Sequence, residues 1–142
     1  MADSRSRIVA EARRWIGTPY RHQASLRGIG CDCLGLVRGV WRDLHGAEPE
    51  TIPAYGPDWA ETDRIEALWQ ALARHLMPST IAQTGQVLLF RMRAGSVAKH
   101  LGIQTQTGPQ ARFIHAYSGH GTVESPLSTP WARRIVARFD LI

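Results

Sequence analysis

The first half of the chain repeats apolar residues with the period of an α-helix. Three stretches show this spacing: Ile8, Val9, Ala12, Trp15 and Ile16; then Cys33, Val37, Val40, Trp41 and Leu44; then Ile65, Leu68, Trp69, Leu72 and Leu76. Such spacing puts the apolar side chains on one face and predicts three amphipathic helices. Ser4 and Asp32 can cap the first two helices, Asp58 or Thr62 can cap the third, and Gly17 ends the first.

After Gly85 the pattern changes to the short apolar runs and the alternation of β-strands. The predicted strands are residues 86–90, 100–105, 111–117, 122–124 and 135–139. Because no helical pattern separates them, the sequence predicts an α+β fold with N-terminal helices packed on an antiparallel sheet of about five strands. At 142 residues, we expect a single domain over residues 1–142.

Composition and charge exclude fewer functions than the pattern of hydrophobic positions does. Seventeen basic and 12 acidic side chains give a formal charge of +5, which predicts attraction to polyanions such as nucleic acid, anionic lipid or cell-wall polymer. Residues 1–5 lack the apolar segment of a secretion signal, and no stretch reaches the ~20 apolar residues of a membrane span. We therefore expect synthesis in the cytoplasm without a signal peptide and no membrane insertion.

Both cysteines lie where a glycine-rich loop meets the second predicted helix, in the segment Gly28-Ile29-Gly30-Cys31-Asp32-Cys33. A Cys-x-Cys pair cannot form an ordinary disulfide across a fold. With Asp32 as the N-cap, Cys33 falls in the first turn, where unpaired backbone amides and the helix dipole favour a thiolate. Cys33 is thus a candidate nucleophile, with inert packing as the commoner alternative for a free cysteine. Gly35, one turn in, leaves room for a close approach by another segment or a substrate.

Two histidines can supply the partner that a nucleophilic thiol needs. His100 begins one predicted strand and His115 lies in the next, and side-chain alternation lets both rings point to one face of the sheet. If the cysteine helix packs on that face, a thiol, an imidazole base and a second polar group come together as a triad. Tyr20, delivered by the turn after the first helix, should lie near Cys33. Each of these residues, taken alone, is more often structural.

Five segments resemble, in order, the motifs of the NlpC-type cell-wall peptidases. They are Trp15-Ile16-Gly17-Thr18-Pro19-Tyr20, Asp32-Cys33-Leu34-Gly35-Leu36-Val37, Val87-Leu88-Leu89-Phe90, His100-Leu101-Gly102-Ile103 and Ile114-His115-Ala116. The resemblance extends from Ile8 to Phe139. Residues 31–41 and 88–92 are also similar to the short variety that tailed phages, prophages and gene transfer agents encode.

The resemblance implies a papain-like fold and hydrolysis of peptide bonds in peptidoglycan stem peptides, commonly the bond between γ-D-glutamate and the diamino acid. It assigns the nucleophile to Cys33, the general base to His100 and the orienting third residue to His115. An oxyanion-assisting hydroxyl is assigned to Tyr20. The implied partners are stem peptides and tail-tip proteins of a phage-like particle, which meets the cell wall when it docks or after lysis.

Two positions in the motif bear on substrate binding. Asp32 stands where members of the resembled family hold a substrate amine. Leu34 replaces the serine that many members have there, a residue often involved in recognising that amine. Cys31 has no counterpart in the motif and receives no catalytic role. The resemblance implies neither a metal nor another cofactor.

Three other functions remain open from the residues alone. A non-catalytic tail-tip plug or wall anchor could keep the same fold, although it would have no need for Cys33, His100 and His115. A metal-binding module could use Cys31 and Cys33, but Cys-x-Cys is weak metal spacing and no second cysteine pair exists. Nucleic-acid binding rests on charge alone, without a recognised motif, and is not expected.

Overall fold

A computed structural model describes residues 3–49 and 67–141 of the chain. In chain order its elements are α1 (Ser4–Arg13), β1 (Ser25–Leu26), β2 (Gly30–Cys31), α2 (Cys33–His45), α3 (Ala67–His75), β3 (Met77–Ser79), β4 (Val87–Phe90), β5 (His100–Gln106), β6 (Arg112–Tyr117), β7 (Gly121–Pro126), α4 (Thr129–Ala132) and β8 (Ile135–Asp140). A short 3₁₀ turn, Gly108–Gln110, precedes β6. Three helices precede the main run of strands, so the predicted α+β class is confirmed.

The main sheet has the strand order β3-β8-β4-β5-β6-β7, and every pair of neighbours is antiparallel. Within the described ranges it has six strands, compared with about five predicted. The additional strand is β3, which pairs with β8 from Met77 opposite Asp140 to Ser79 opposite Arg138. The pattern does not predict β3 because it is three residues long, contains a proline and shows no alternation of burial. β1 and β2 form a separate small hairpin.

Two apolar clusters occupy opposite faces of the sheet. Val87 and Leu89 of β4 face the cluster that is covered by helices α1, α2 and α3. Leu88 and Phe90, the alternate residues of β4, face the other cluster together with Phe113 and side chains of the β7–β8 connection. All four residues of β4 are fully buried, so this strand takes part in both clusters.

Helix α1 differs from its prediction at both ends. Asp3, not Ser4, is the N-cap, because its carboxylate accepts a backbone N–H of the first turn at 2.7 Å. The helix ends at Arg13 rather than near residue 17. Trp15 is buried as predicted, but Ile16 is 44% exposed. Beyond Arg13 the chain leaves the helical path, so the 3.6-residue period no longer decides which side chains are inside.

Helix α2 matches the predicted cysteine helix. It starts at Cys33 after the N-cap Asp32 and ends before Gly46, whose φ of 86° is the left-handed conformation typical of a helix C-cap. A Cβ atom on Gly35 would overlap the carbonyl group of Ala24. The prediction that another segment approaches closely at Gly35 is therefore confirmed.

The third predicted helix is described only in part. Its apolar residue Ile65 and its candidate caps Asp58 and Thr62 lie outside the described residues. From Ala67 onward the helix is present, with Leu68 buried. In the two stretches that the structure describes, no helix is both long enough and apolar enough to cross a membrane.

Candidate active site

The segment that follows α1 is held between β2 and β7. Gly17 donates its N–H to the carbonyl of Thr122, and the N–H of Thr122 donates to the carbonyl of Thr18. The Thr18 hydroxyl also accepts a backbone N–H from the loop of the small hairpin at 2.9 Å. These bonds fix the turn that places Tyr20 in a parallel bridge with Cys31.

The two cysteines contact different parts of the fold. Cys31 is fully buried, and its Sγ lies 3.2 Å from the Thr122 hydroxyl; burial raises the pKa of its thiol. The Sγ of Cys33 instead lies 3.7 Å from the carbonyl oxygen of Lys99. The two sulfurs therefore do not form a shared pair of metal ligands, and over residues 3–49 and 67–141 no group of three His, Cys, Asp or Glu side chains is arranged to hold a metal ion.

Asp32 joins the helix of Cys33 to the preceding loop. Its carboxylate is 3% exposed, with Oδ1 accepting the Gly35 N–H and Oδ2 accepting the Gln23 N–H, each at 2.7 Å. The Nδ1 atom of His22 lies 3.8 Å from Oδ2. Gln23 has a φ of 67°, which is unfavourable for a residue with a side chain. The carboxylate therefore stabilises a strained turn as well as the helix start, and its assignment to a substrate amine stays a prediction.

The sulfur of Cys33 lies between the start of α2 and the first residues of β5. Burial raises the pKa of the thiol, and the Asp32 carboxylate raises it further. Hydrogen bonds from the backbone N–H groups of Leu101, Leu34 and Cys33 lower it, and the result is a pKa of about 12. The expectation of a thiolate at the helix start is therefore wrong for this structure. The helix amides act in the predicted direction, and the loss of hydration outweighs them.

His100 and His115 form a hydrogen-bonded pair. The Nε2 atom of His100 lies 2.8 Å from Nδ1 of His115, and the two rings are nearly perpendicular, at 80°. His115 is fully buried and His100 is 8% exposed. The Nε2 atom of His115 lies 3.4 Å from the hydroxyl of Ser125. A polar chain thus crosses β5, β6 and β7, and the prediction that both histidines share one face is confirmed.

The face on which the histidines lie differs from the expected one. Their rings pack with Phe90 and Phe113, in the cluster on the face opposite α1, α2 and α3. Leu101, the neighbour of His100, points to the helix side. The sulfur of Cys33 therefore meets β5 at the carbonyl of Lys99 and the N–H of Leu101, the backbone groups on either side of His100.

Burial keeps both imidazoles neutral. It lowers the pKa of His100 to about 3, with a further contribution from His115, and it lowers the pKa of His115 to about 4, with a further contribution from His120. Since Nε2 of His100 is bonded to His115, Nδ1 is the nitrogen that can accept a proton from a thiol. The resting site therefore holds a thiol and a neutral imidazole.

Tyr20 lies where the sequence predicts it, beside the thiol. It is half-buried and packs against the helix-side cluster, as Cys33 does. Burial raises the pKa of its phenol, and the negative charge of Asp32 raises it further. The hydroxyl is therefore protonated at neutral pH and can donate a hydrogen bond.

Sequence reasoning missed two contacts of the histidine pair. Ser125 lies one residue beyond the predicted end of its strand, and β7 in fact continues to Pro126. Trp131 of α4 has its ring centroid 4.9 Å from that of His115 and 5.5 Å from that of His100. No signal could have identified Trp131, because α4 has four residues and no measurable period.

Comparison with known proteins points to one family. The model of the NlpC/P60 family matches residues 17–139. A Bacillus subtilis (strain 168) protein named gamma-DL-glutamyl hydrolase is 31% identical over 136 residues, an alignment that covers 94% of this chain and 29% of that protein. The chain therefore spans less than a third of the length of this relative.

Solved structures agree with this fold. The NlpC/p60 domain of the peptidoglycan hydrolase SagA superposes with a TM-score of 0.66 at 22% identity, covering 97% of this chain and 99% of that one. An NLP/P60 protein from Staphylococcus aureus subsp. aureus Mu50 gives a TM-score of 0.64 at 22% identity, covering 100% and 43%. The papain-like fold is thus shared, and because the family model extends from the turn before Tyr20 into β8, the chain belongs to the NlpC/P60 family.

Proposed function

We propose that the protein is a cysteine endopeptidase that hydrolyses peptide bonds in peptidoglycan stem peptides, at the bond between γ-D-glutamate and the diamino acid. The observation that carries this proposal is the His100–His115 hydrogen bond of 2.8 Å, formed where the sulfur of Cys33 lies against the start of β5. Family membership supports the class of reaction. The γ-DL-glutamyl hydrolase among its relatives supports the γ-glutamyl side of the scissile bond.

The reaction starts from the neutral thiol of Cys33 and the neutral imidazole of His100. As Sγ of Cys33 attacks the carbonyl carbon, the thiol proton passes to Nδ1 of His100 and the carbonyl electron pair moves onto oxygen. Proton transfer from Cys33 to His100 leaves the net charge of these two residues unchanged, so neither has to ionise alone in a site where burial opposes it. His115 accepts the Nε2–H of His100 and so orients the ring.

The tetrahedral intermediate carries a negative oxygen that needs hydrogen-bond donors. We assign the phenol of Tyr20 to this task, together with backbone N–H groups at the start of α2. Collapse of the intermediate breaks the C–N bond, and the leaving amine takes its proton from His100. A water molecule then gives a proton to His100 as its oxygen attacks the thioester carbon. Collapse of this second intermediate breaks the C–S bond, the sulfur takes the proton back from His100, and the carboxylic acid product leaves.

Substrate recognition is assigned to Asp32. Asp32 is the residue before Cys33 at the start of α2, and its negative charge attracts a substrate ammonium. Leu34 is apolar and 9% exposed, and it cannot add a hydrogen bond to that amine. Recognition of a free amine then depends on Asp32, without a hydrogen bond from the side chain at position 34.

The enzyme's proposed place of action is the tail of a phage-like particle or gene transfer agent, where tail-tip proteins would be its partners and the cell wall its target. The similarity of residues 31–41 and 88–92 to that variety supports this placement. We expect the chain to co-purify with tail proteins when particles are isolated from a producing strain and analysed by mass spectrometry. Recovery only in the particle-free fraction would contradict the placement.

Replacement of each cysteine tests the nucleophile. Cys33→Ser should abolish hydrolysis with little change in melting temperature, because a hydroxyl of similar size replaces a half-buried thiol. Cys31→Ser is the matched control and should keep most activity, since a serine hydroxyl can still bond to Thr122. The measurement is mass spectrometry of muropeptides released from purified peptidoglycan. Equal losses in the two variants, or wall binding without any release by the unmodified protein, would contradict the proposal.

The role of His115 is tested by a polar and an apolar replacement. His115→Ala should lower kcat by roughly two to four orders of magnitude, because the ring of His100 loses its orienting acceptor. His115→Asn should lower it less, since an amide oxygen can accept the Nε2–H. Steady-state kinetics on a soluble stem peptide gives the comparison, with circular dichroism as the check on folding. Equal losses in two folded variants would leave His115 a packing residue.

The protonation state of Cys33 is tested by alkylation with iodoacetamide. Because burial raises the pKa of this thiol to about 12, the alkylation rate should rise about tenfold per pH unit up to about pH 9, as the thiolate fraction does below its pKa. Cys33→Ala provides the background from Cys31. An alkylation rate that is already level between about pH 6 and 8 would show a preformed thiolate. It would contradict the neutral thiol and neutral imidazole from which the proposed reaction starts.

A further inference from the structure

The short helix α4 places one indole ring over the ring cluster that contains both histidines. The ring centroid of Trp131 lies 5.4 Å from those of Phe90 and Phe113, 5.5 Å from that of His100 and 4.9 Å from that of His115. The other four rings are at most 8% exposed, whereas Trp131 is half-buried. Tyr117, also half-buried, stacks on the ring of His115 at 4.7 Å, and Trp131 is the half-buried ring that contacts both histidines and both phenylalanines.

The backbone on both sides of α4 is fixed to the sheet region. Before the helix, Leu127 donates its N–H to the carbonyl of Ala111 at 2.8 Å. After it, the carbonyl of Arg134 accepts the N–H of Arg91 at 2.8 Å. The guanidinium of Arg134 also lies 5.7 Å from the centre of the Trp131 ring, a cation–π distance. The indole is thus held by a connection with a defined position.

We propose that Trp131 is a positioning residue for the reaction, whose indole keeps water away from the His100–His115 pair and holds His100 in the orientation that presents Nδ1 to Cys33. This inference rests on the proposed function, because it takes His100 as the general base. The indole acts through His100 and need not touch the substrate.

The lowered pKa values of His100 and His115 agree with the proposed role of Trp131. Desolvation is the first cause of the lowered pKa of both histidines, and repulsion from a neighbouring histidine is the second. The titratable groups on the pair are Tyr117 from β6, which contacts both rings, and His120 from the following turn, which stacks on Tyr117. Arg134 lies on the indole of Trp131, and the sulfur of Cys33 lies against the backbone carbonyl that precedes His100. Loss of the indole would readmit water, which raises a histidine pKa toward its usual value of about 6.5.

A histidine titration tests the proposal without any substrate. In the Cys33→Ala background, ¹⁵N NMR should show His100 and His115 neutral down to about pH 5. Trp131→Ala should raise the pKa of at least one of them by about one unit or more, and Trp131→Phe should raise it less. Trp69→Ala is the matched control, because Trp69 is half-buried on the helix-side cluster; it should leave both values unchanged.

Kinetics then separates positioning from substrate contact. Trp131→Ala should lower kcat roughly tenfold with little change in KM, and the acid limb of the pH profile should move up by the shift seen in the titration. Unchanged histidine pKa values in folded Trp131→Phe and Trp131→Ala would overturn the proposal. A raised KM with unchanged kcat and an unmoved acid limb would overturn it too, by making the indole a substrate contact. If Trp131→Ala does not fold, the Trp131→Phe titration decides alone.

Since the titration requires no turnover, it distinguishes the two proposals. A protein that shows the histidine shifts but releases no muropeptides would retain the desolvating role of Trp131 and lose the peptidase assignment. A protein that hydrolyses peptidoglycan but shows no shift in either variant would retain the peptidase assignment and lose the role of Trp131.

Discussion

The buried carboxylate of Asp32 is the interaction on which the geometry of the site depends. It accepts one backbone N–H from helix α2 and one from the strained residue Gln23 in the loop before it. Hydrogen bonds to a buried charge contribute about 1.5–3 kcal/mol each, so this single side chain determines where the helix begins and how the loop approaches it. The position of Cys33, the next residue, follows from that anchor.

The same anchor makes the thiol harder to ionise. A negative charge next to the sulfur adds to the effect of burial and raises the pKa of Cys33 to about 12. Cys33 therefore has a fixed position and lacks the lowered pKa that a helix start would otherwise give its thiol. A neutral imidazole at His100, whose ring geometry is set by its hydrogen bond to His115, is consistent with that compromise, because proton transfer from a neutral thiol to a neutral imidazole creates no net charge.

Sequence periodicity predicts the parts of this structure that depend on local geometry. The cap Asp32 and the apolar stripe define the start and the core-facing side of α2, and the two-residue repeat of strands places His100 and His115 on one face. Periodicity cannot tell which face the helices cover, because that depends on how distant segments pack. The same limit applies to the thiol, whose ionisation depends on how completely other segments exclude water. β3 and α4 are too short to have a period, so the ring of Trp131 above the histidines has no signature in the sequence.

The position of β8 in the sheet affects how the molecule can be assembled. This strand lies between β3 and β4, although it is made after β5, β6 and β7. During synthesis β4, β5, β6 and β7 can pair as hairpins, but one backbone edge of β4 has no partner until residues 135–140 of β8 have been made. Such long-range pairing slows folding and leaves an apolar strand edge open to wrong partners. Completion of the central part of the sheet therefore depends on a strand that is distant from β4 in the sequence.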